Sequence, residues 1–270
     1  MNSIAIIGCG NIGSAIAFAI LNKKIVENHN LIIAESFPNQ ATKDLSGMNC
    51  AVYTKISEIK TVPDLIIIAV KPQNAPRMYM DLSQKMGPET LVLSIMAGVS
   101  TQELSEVLAT KNIIRCMPNT PCSIFLGMTV FYATESVSEI KIQEAETVFA
   151  ALGKSTQVRD ENLMNAATAI NGSGPAYIFY LAEALMEGAM EMGFAHDQSK
   201  LLATQTILGA AGLLDKSSYT PQELRKQVSS PGGTTEAAMR LYTKQNLKKK
   251  MIDGYQAAYK RSIELGCVKN

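Results

Sequence analysis

Apolar and polar positions fall into two regimes along this chain. Up to about residue 160, short unbroken aliphatic runs alternate with helix-like stretches. Ser3–Gly8 (SIAIIG), Leu31–Glu35 (LIIAE), Asp64–Val70 (DLIIIAV) and Thr90–Ile95 (TLVLSI) read as strands. Asn112–Cys116, Met128–Ala133 and Thr156–Val158 read as weaker ones. Runs of Ile, Leu and Val without alternation mean strands covered on both faces. Ile12–Leu21, apolar and small, reads as a helix, and helical segments lie between most of the strands. That order predicts an α/β fold with a doubly wound, mostly parallel sheet. Beyond about Asp160 strand-like runs vanish. Asn162–Ala169, Pro175–Gly193, Ser199–Lys216, Pro221–Val228, Thr235–Tyr242 and Gln245–Leu265 all carry helical periodicity. The expected domains are therefore 1–160 and an all-helical 161–270. Thr220-Pro221-Gln222-Glu223 predicts a capping box, with Thr as N-cap, Pro at the first helical position and Glu two residues later.

Composition narrows the functions. The chain has 270 residues, 47% of them hydrophobic and 18% charged, enough to bury a core without staples. Lys+Arg is 25 against Asp+Glu 24, a balance that sets up no field for a polyanion, so no nucleic-acid partner is expected. The candidate for a span, the uncharged Leu201–Leu214, is too short to cross a membrane and contains Thr204, Gln205 and Thr206. The N-terminus runs straight into a strand with no leader pattern, so a cytoplasmic location is expected. Five scattered cysteines and two histidines form no ligand motif, and no metal site is expected. Glu183, Glu187 and Glu191 share one helix face with no Lys or Arg between Asp160 and Ser199. They form either a solvated stripe or a surface that meets cations of a partner subunit.

The first strand runs into Gly8-Cys9-Gly10-Asn11-Ile12-Gly13, a G-x-G-x-x-G pattern that opens a helix. Gly8 permits the tight turn, Gly10 lets the backbone approach a pyrophosphate, and Gly13 allows close helix–strand packing. Glu35 ends the second strand, 22 residues after Gly13, where a carboxylate can hydrogen-bond a ribose 2′-hydroxyl and would repel a 2′-phosphate. The loop Ser36, Phe37, Pro38, Asn39 holds no Arg, and Lys43 is the nearest cation along the chain. The pattern thus points to a Rossmann-type domain and leans towards NADH. Val70-Lys71-Pro72 and Ala97-Gly98-Val99 follow strands whose carboxyl ends should face the same crevice, or are ordinary strand-ending turns.

Two glycine-rich loops lie among the helices: Asn171-Gly172-Ser173-Gly174-Pro175-Ala176-Tyr177, and Ser229-Ser230-Pro231-Gly232-Gly233-Thr234-Thr235-Glu236. The second exposes backbone N–H groups and two hydroxyls at a helix start. That suits a carboxylate, or is a plain interhelical turn with a Thr N-cap.

At these residues the sequence resembles the pyrroline-5-carboxylate reductases. The resemblance runs through G-C-G-N-I-G, A-V-K-P-Q (69–73), A-G-V (97–99), R-C-M-P-N-T-P (115–121), G-S-G-P-A-Y (172–177), G-A-A (209–211) and L-R-K-Q-V-S-S-P-G-G-T-T (224–235). It implies a Rossmann domain followed by a helical dimerisation domain. It implies reduction of 1-pyrroline-5-carboxylate to L-proline with NADPH or NADH, in a homodimer that many members assemble further into decamers. It also implies that Gly8–Gly13, Ser36, Ala69–Pro72 and Ala97 line the cofactor. Ser230, Gly232, Gly233, Thr234 and Thr235 would hold the substrate carboxylate, with Thr235 near the ring nitrogen as the catalytic residue. The chain departs from the family at Ala238, where Gly is usual, at Ile56, where many members carry an Asn that touches the adenosine end, and at Ser229, where Thr is commoner.

The nearest rival is a β-hydroxyacid dehydrogenase or a related cyclic-imine reductase. The hydroxyacid enzymes need a Lys on the first long helix of the second domain, and here no Lys lies between Lys154 and Lys200. A cofactor-sensing binding protein would keep the glycine loop but would not need Ser230–Thr235.

Overall fold

The computed structural model describes residues 1–267. Eight strands form one sheet: β1 (Ile4–Ile7), β2 (Leu31–Ala34), β3 (Ala51–Tyr53), β4 (Leu65–Ile68), β5 (Leu91–Ser94), β6 (Ile113–Met117), β7 (Gly127–Ala133) and β8 (Gly153–Gln157). Their order is β3-β2-β1-β4-β5-β6-β7-β8, and every pairing is parallel except β6 with β7. The order reverses at β1, between β2 and β4, and the carboxyl ends of the strands around that point form the crevice of a doubly wound sheet.

The unbroken aliphatic runs are explained by the two layers they feed. Ile4 and Ile6 of β1, Leu65 and Ile67 of β4, and Leu91 and Leu93 of β5 enter one core with α1 (Asn11–Asn22) and α5 (Glu139–Leu152). Ala5, Ile7, Ile66, Ile68 and Val92 enter the other, with α3 (Ala75–Ser83) and α4 (Thr101–Leu108). Every residue of β1, β2, β4 and β5 is buried. Each large aliphatic side chain so placed contributes about 1.5–3 kcal/mol. Helix starts are fixed locally. Asn39 caps α2 (Gln40–Gly47), Ser100 accepts from the Glu103 N–H, and Ser138 accepts from the Lys141 N–H.

Three expectations needed adjustment. The strand β3 was not foreseen, because its three half-buried residues carry no aliphatic run. β8 begins at Gly153 rather than near 156, since Gly127 and Gly153 bring two backbones together: a Cβ on Gly153 would lie on the Gly127 carbonyl. The helix expected over 162–169 is a short α6 (Leu163–Ala167) that continues as a π-turn, Thr168–Gly172, closed by the Ser173 N–H on the Thr168 carbonyl at 2.9 Å.

The chain separates into two compact units, Met1–Pro175 with Ala258–Asn270, and Ala176–Ala257. The remaining helices are α7 (Gly174–Glu191), α8 (His196–Lys216), α9 (Pro221–Gln227), α10 (Thr234–Lys244) and α11 (Leu247–Cys267). The Thr220–Glu223 capping box forms as expected. These helices bury little. Only Ala189 of α7 and only Ser199 and Ala203 of α8 are buried, and none of α9 or α10. Phe179, Tyr180, Leu201 and Leu208 are among the large apolar side chains left exposed. Among the described residues no helix is long and apolar enough to cross a membrane.

Candidate active site

The glycine loop lies at the point where the strand order reverses. Gly8 has φ +98°, and a Cβ there would stand 2.7 Å from the Ala69 carbonyl oxygen. The loop therefore rests directly on the segment that follows β4. A Cβ on Gly13 would fall on the Gly8 carbonyl, so α1 can approach the loop only through a glycine. Gly10 differs: a Cβ on it would meet nothing within 4 Å, so its face is open. Gly10 is also the N-cap of α1 and makes no side-chain cap bond. The N–H groups of the first turn, Asn11, Ile12 and Gly13, are left for an anion. An open glycine face beside an uncapped helix start fits the pyrophosphate of a dinucleotide.

The Cys9 peptide of that loop is held on both sides. Its N–H donates to Glu35 Oε2 at 2.7 Å, and its carbonyl accepts from Asn39 Nδ2 at 2.8 Å. The other Glu35 oxygen, Oε1, accepts from the Phe37 N–H at 2.9 Å. Ser36 and Phe37 are exposed beside it. The Cys9 thiol is buried, and burial together with the nearby Glu35 charge pushes it up to about 11, so it is no nucleophile.

Ala69, Val70, Lys71 and Pro72 follow β4 on the same edge, with Lys71 exposed. Ala97 follows β5 in a loop turned by Gly98 at φ +79° against the Gly266 backbone. Glu161 anchors the far end of that loop. It accepts from the Thr101 N–H at 2.8 Å and the Thr101 hydroxyl at 2.6 Å, and pairs with buried Arg115 at 3.1 Å. Arg115 comes from the R-C-M-P-N-T-P motif, and its side chain makes this tie rather than reaching the crevice.

The same motif supplies Asn119, which meets Asn171 of the N-G-S-G-P loop. Asn171 Nδ2 donates to the carbonyls of Met117 (2.7 Å) and Met128 (3.0 Å), and its Oδ1 accepts from Asn119 Nδ2 at 3.1 Å. Asn119 Oδ1 in turn accepts from the Met128 N–H at 2.9 Å. The two amides fasten the π-turn to the end of β6 and the start of β7. Asn171→Ala removes three hydrogen bonds at once and is expected to lower stability by about 1–3 kcal/mol. Urea unfolding checks this, and an unchanged midpoint would show that the amides fasten nothing.

In the helical unit, Ser230–Thr235 forms a tight turn into α10. The Gly233 N–H closes it on the Ser230 carbonyl at 3.0 Å, and the Gly232 N–H donates to Glu236 Oε2 at 2.5 Å. Gly232 takes φ +73°. A Cβ on Gly233 would lie 2.5 Å from Ser230 Oγ, so the missing side chain makes room for that hydroxyl. α10 starts at Gly233 without a side-chain cap. The donors left for an anion are the Ser230 hydroxyl and the first-turn N–H groups of Thr234 and Thr235. The glycine N–H groups are occupied within the turn itself.

A glycine-cradled crevice in a doubly wound sheet, joined in one chain to a helical unit with a glycine-rich turn that opens an uncapped helix, defines a dinucleotide-dependent oxidoreductase of the two-domain kind. Residues 161–265 match the pyrroline-5-carboxylate reductase dimerisation family, and residues 3–98 match the coenzyme F420-dependent NADP oxidoreductases. The pyrroline-5-carboxylate reductase of Synechocystis sp. is 35% identical over 97% of this chain and 98% of its own length, so the chain belongs to the pyrroline-5-carboxylate reductase family. Solved structures agree. A pyrroline-5-carboxylate reductase from Coxiella burnetii superposes with TM-score 0.89 at 30% identity, covering 98% of each chain. The pyrroline carboxylate reductase of Plasmodium falciparum, solved with NADP bound, gives 0.88 at 27% identity, again over 98% of each chain.

Asn39, Asn119, Asn171 and the Arg115–Glu161 pair were not foreseen as parts of the site. Arg115, Asn119 and Asn171 stand inside motifs that had been singled out. Their partners, however, are backbone groups and side chains from nine to more than fifty residues away.

Proposed function

We propose that this chain reduces 1-pyrroline-5-carboxylate to L-proline with NADH or NADPH. The observation that carries the reading is the Ser230–Thr235 turn, whose free donors lie at an uncapped helix start within a chain of this family. A bound reduced nicotinamide supplies the hydride. The chain's residues do the rest. Gly8, Gly10 and Gly13 admit the pyrophosphate to the α1 N-terminus, and Ala69–Pro72 and Ala97 line the crevice. The Ser230 hydroxyl and the Thr234 and Thr235 N–H groups hold the substrate carboxylate. The Thr235 hydroxyl hydrogen-bonds the ring nitrogen. Carbon C5 of the imine gains the hydride and the nitrogen takes a proton from water by way of the Thr235 hydroxyl, so the C=N bond becomes C–N. A cyclic imine is already electrophilic, so fixed position and one donor suffice where other substrates need a strong base. A turn of hydroxyls and backbone N–H groups with no histidine meets that demand.

The test is substrate-dependent loss of the reduced-cofactor absorbance. No loss with either cofactor would refute the reading. Thr235→Ala is expected to slow the single-turnover rate by on the order of 100-fold. Dinucleotide affinity should be unchanged, and Thr235→Ser should restore most of the rate. An undiminished Thr235→Ala rate would remove that residue from the reaction. The helical segment 161–270 would pair two subunits as a homodimer. Higher assembly to a decamer and a cytoplasmic location complete the reading, the first checked by light scattering and the second by fractionation.

A further inference from the structure

We infer that Glu35 makes this chain selective for NADH, because its carboxylate is fixed in place by the backbone it stands against and cannot turn aside for a 2′-phosphate. Both oxygens are engaged, Oε2 by the Cys9 N–H at 2.7 Å and Oε1 by the Phe37 N–H at 2.9 Å. The two donors lie on either side of the carboxylate, one in the glycine loop and one in the segment after β2. Rotating the side chain away would break both bonds and leave Cys9 held only through its carbonyl, which accepts from Asn39 at 2.8 Å. The carboxylate therefore stays at the end of β2, where the adenosine ribose of a dinucleotide lies in this fold. Each oxygen keeps a lone pair beyond its backbone bond, enough to accept from a ribose hydroxyl. A 2′-phosphate brought to the same place would meet a fixed negative charge. No Lys or Arg occurs across residues 35–42 to offset it.

Phe37, 80% exposed, stands next to this carboxylate and offers an apolar face at the adenosine end. The residue that chooses the cofactor is thus bonded directly to the loop that takes the pyrophosphate. Loss of the carboxylate should weaken NADH binding as well as relieve NADPH.

The inference rests on the reductase reading only for the identity of the reaction, since dinucleotide binding needs no pyrroline. The experiment is calorimetric titration of the purified full-length protein with NADH and with NADPH, for the wild type and for Glu35→Gln. Gln keeps an acceptor for one backbone N–H and removes the charge. For the wild type, NADH is expected to bind roughly tenfold or more tightly than NADPH, as one unscreened charge pair at close range would give. In Glu35→Gln the preference should shrink to about twofold or reverse, with NADH itself weakened. Ratios of kcat/KM with the two cofactors should move in parallel. Equal affinities in the wild type, tighter NADPH, or a ratio unmoved by Glu35→Gln would overturn the inference. Should Glu35→Gln fail to fold, the wild-type ratio decides alone. Selective NADH binding without turnover of pyrroline-5-carboxylate would sustain this inference and refute the reductase reading.

Discussion

Gly13→Ala is expected to cost both dinucleotide binding and stability, whereas Gly10→Ala costs binding alone. At Gly13 the new Cβ would fall on the backbone carbonyl of Gly8 and stand 3.3 Å from the Ala69 Cβ. Neither neighbour is the free end of a flexible side chain, so α1 or the loop must shift. Such overpacking destabilises by about 1–3 kcal/mol. A displacement near 1 Å of the N–H groups that face the pyrophosphate should weaken the complex on the order of 100-fold. At Gly10 the Cβ meets nothing within 4 Å in the chain itself, so the fold is untouched and only the space kept for the ligand is filled. Thermal melts paired with NADH titration separate the two cases. A Gly13→Ala protein with wild-type melting and affinity would show that the loop does not hold the ligand in this way.

The second large effect is expected at Gly233. Its Cβ would stand 2.5 Å from Ser230 Oγ and 3.0 Å from the Ser230 carbonyl oxygen, which already accepts from the Gly233 N–H. The hydroxyl can rotate away, but it then leaves the mouth of the turn. Gly233→Ala should raise KM for pyrroline-5-carboxylate by roughly 10- to 100-fold. The affinity for dinucleotide and the melting temperature should hardly move, because the loop is exposed and belongs to the helical unit. An unchanged KM would mean that Ser230 takes no part in holding the acid group.

What could be read from the chain in advance depended on how local its cause was. β1, β2, β4 and β5 announce themselves because burial on both faces demands aliphatic side chains at every position. The glycine loop is equally legible, since Gly8 and Gly13 answer to contacts inside one turn and with the segment after β4, while Gly10 between them leaves an open face. The helix start at Thr220 depends on a neighbour three residues away. β3 escaped because a short, half-buried strand needs no aliphatic run. The Asn119–Asn171 pair joins residues 52 apart and Thr101–Glu161 joins residues 60 apart. No pattern in either stretch of sequence names the other. Glu35 was legible as an acidic residue at the right place, but its two backbone bonds were not. They turn a plausible contact into a fixed charge.

The sparse interior of the helical unit carries a consequence for handling the protein. α7 to α10 close over almost no side chains of their own, and residues 161–265 match a dimerisation family, so a second copy is expected to exclude water from them. For such an element, association and folding are one equilibrium, and its midpoint follows the logarithm of the amount of chain present. Dilution then acts as a denaturant. A preparation robust at the bench could lose its helical half at the trace levels used for kinetic assays, while the sheet, whose core is its own, stays intact.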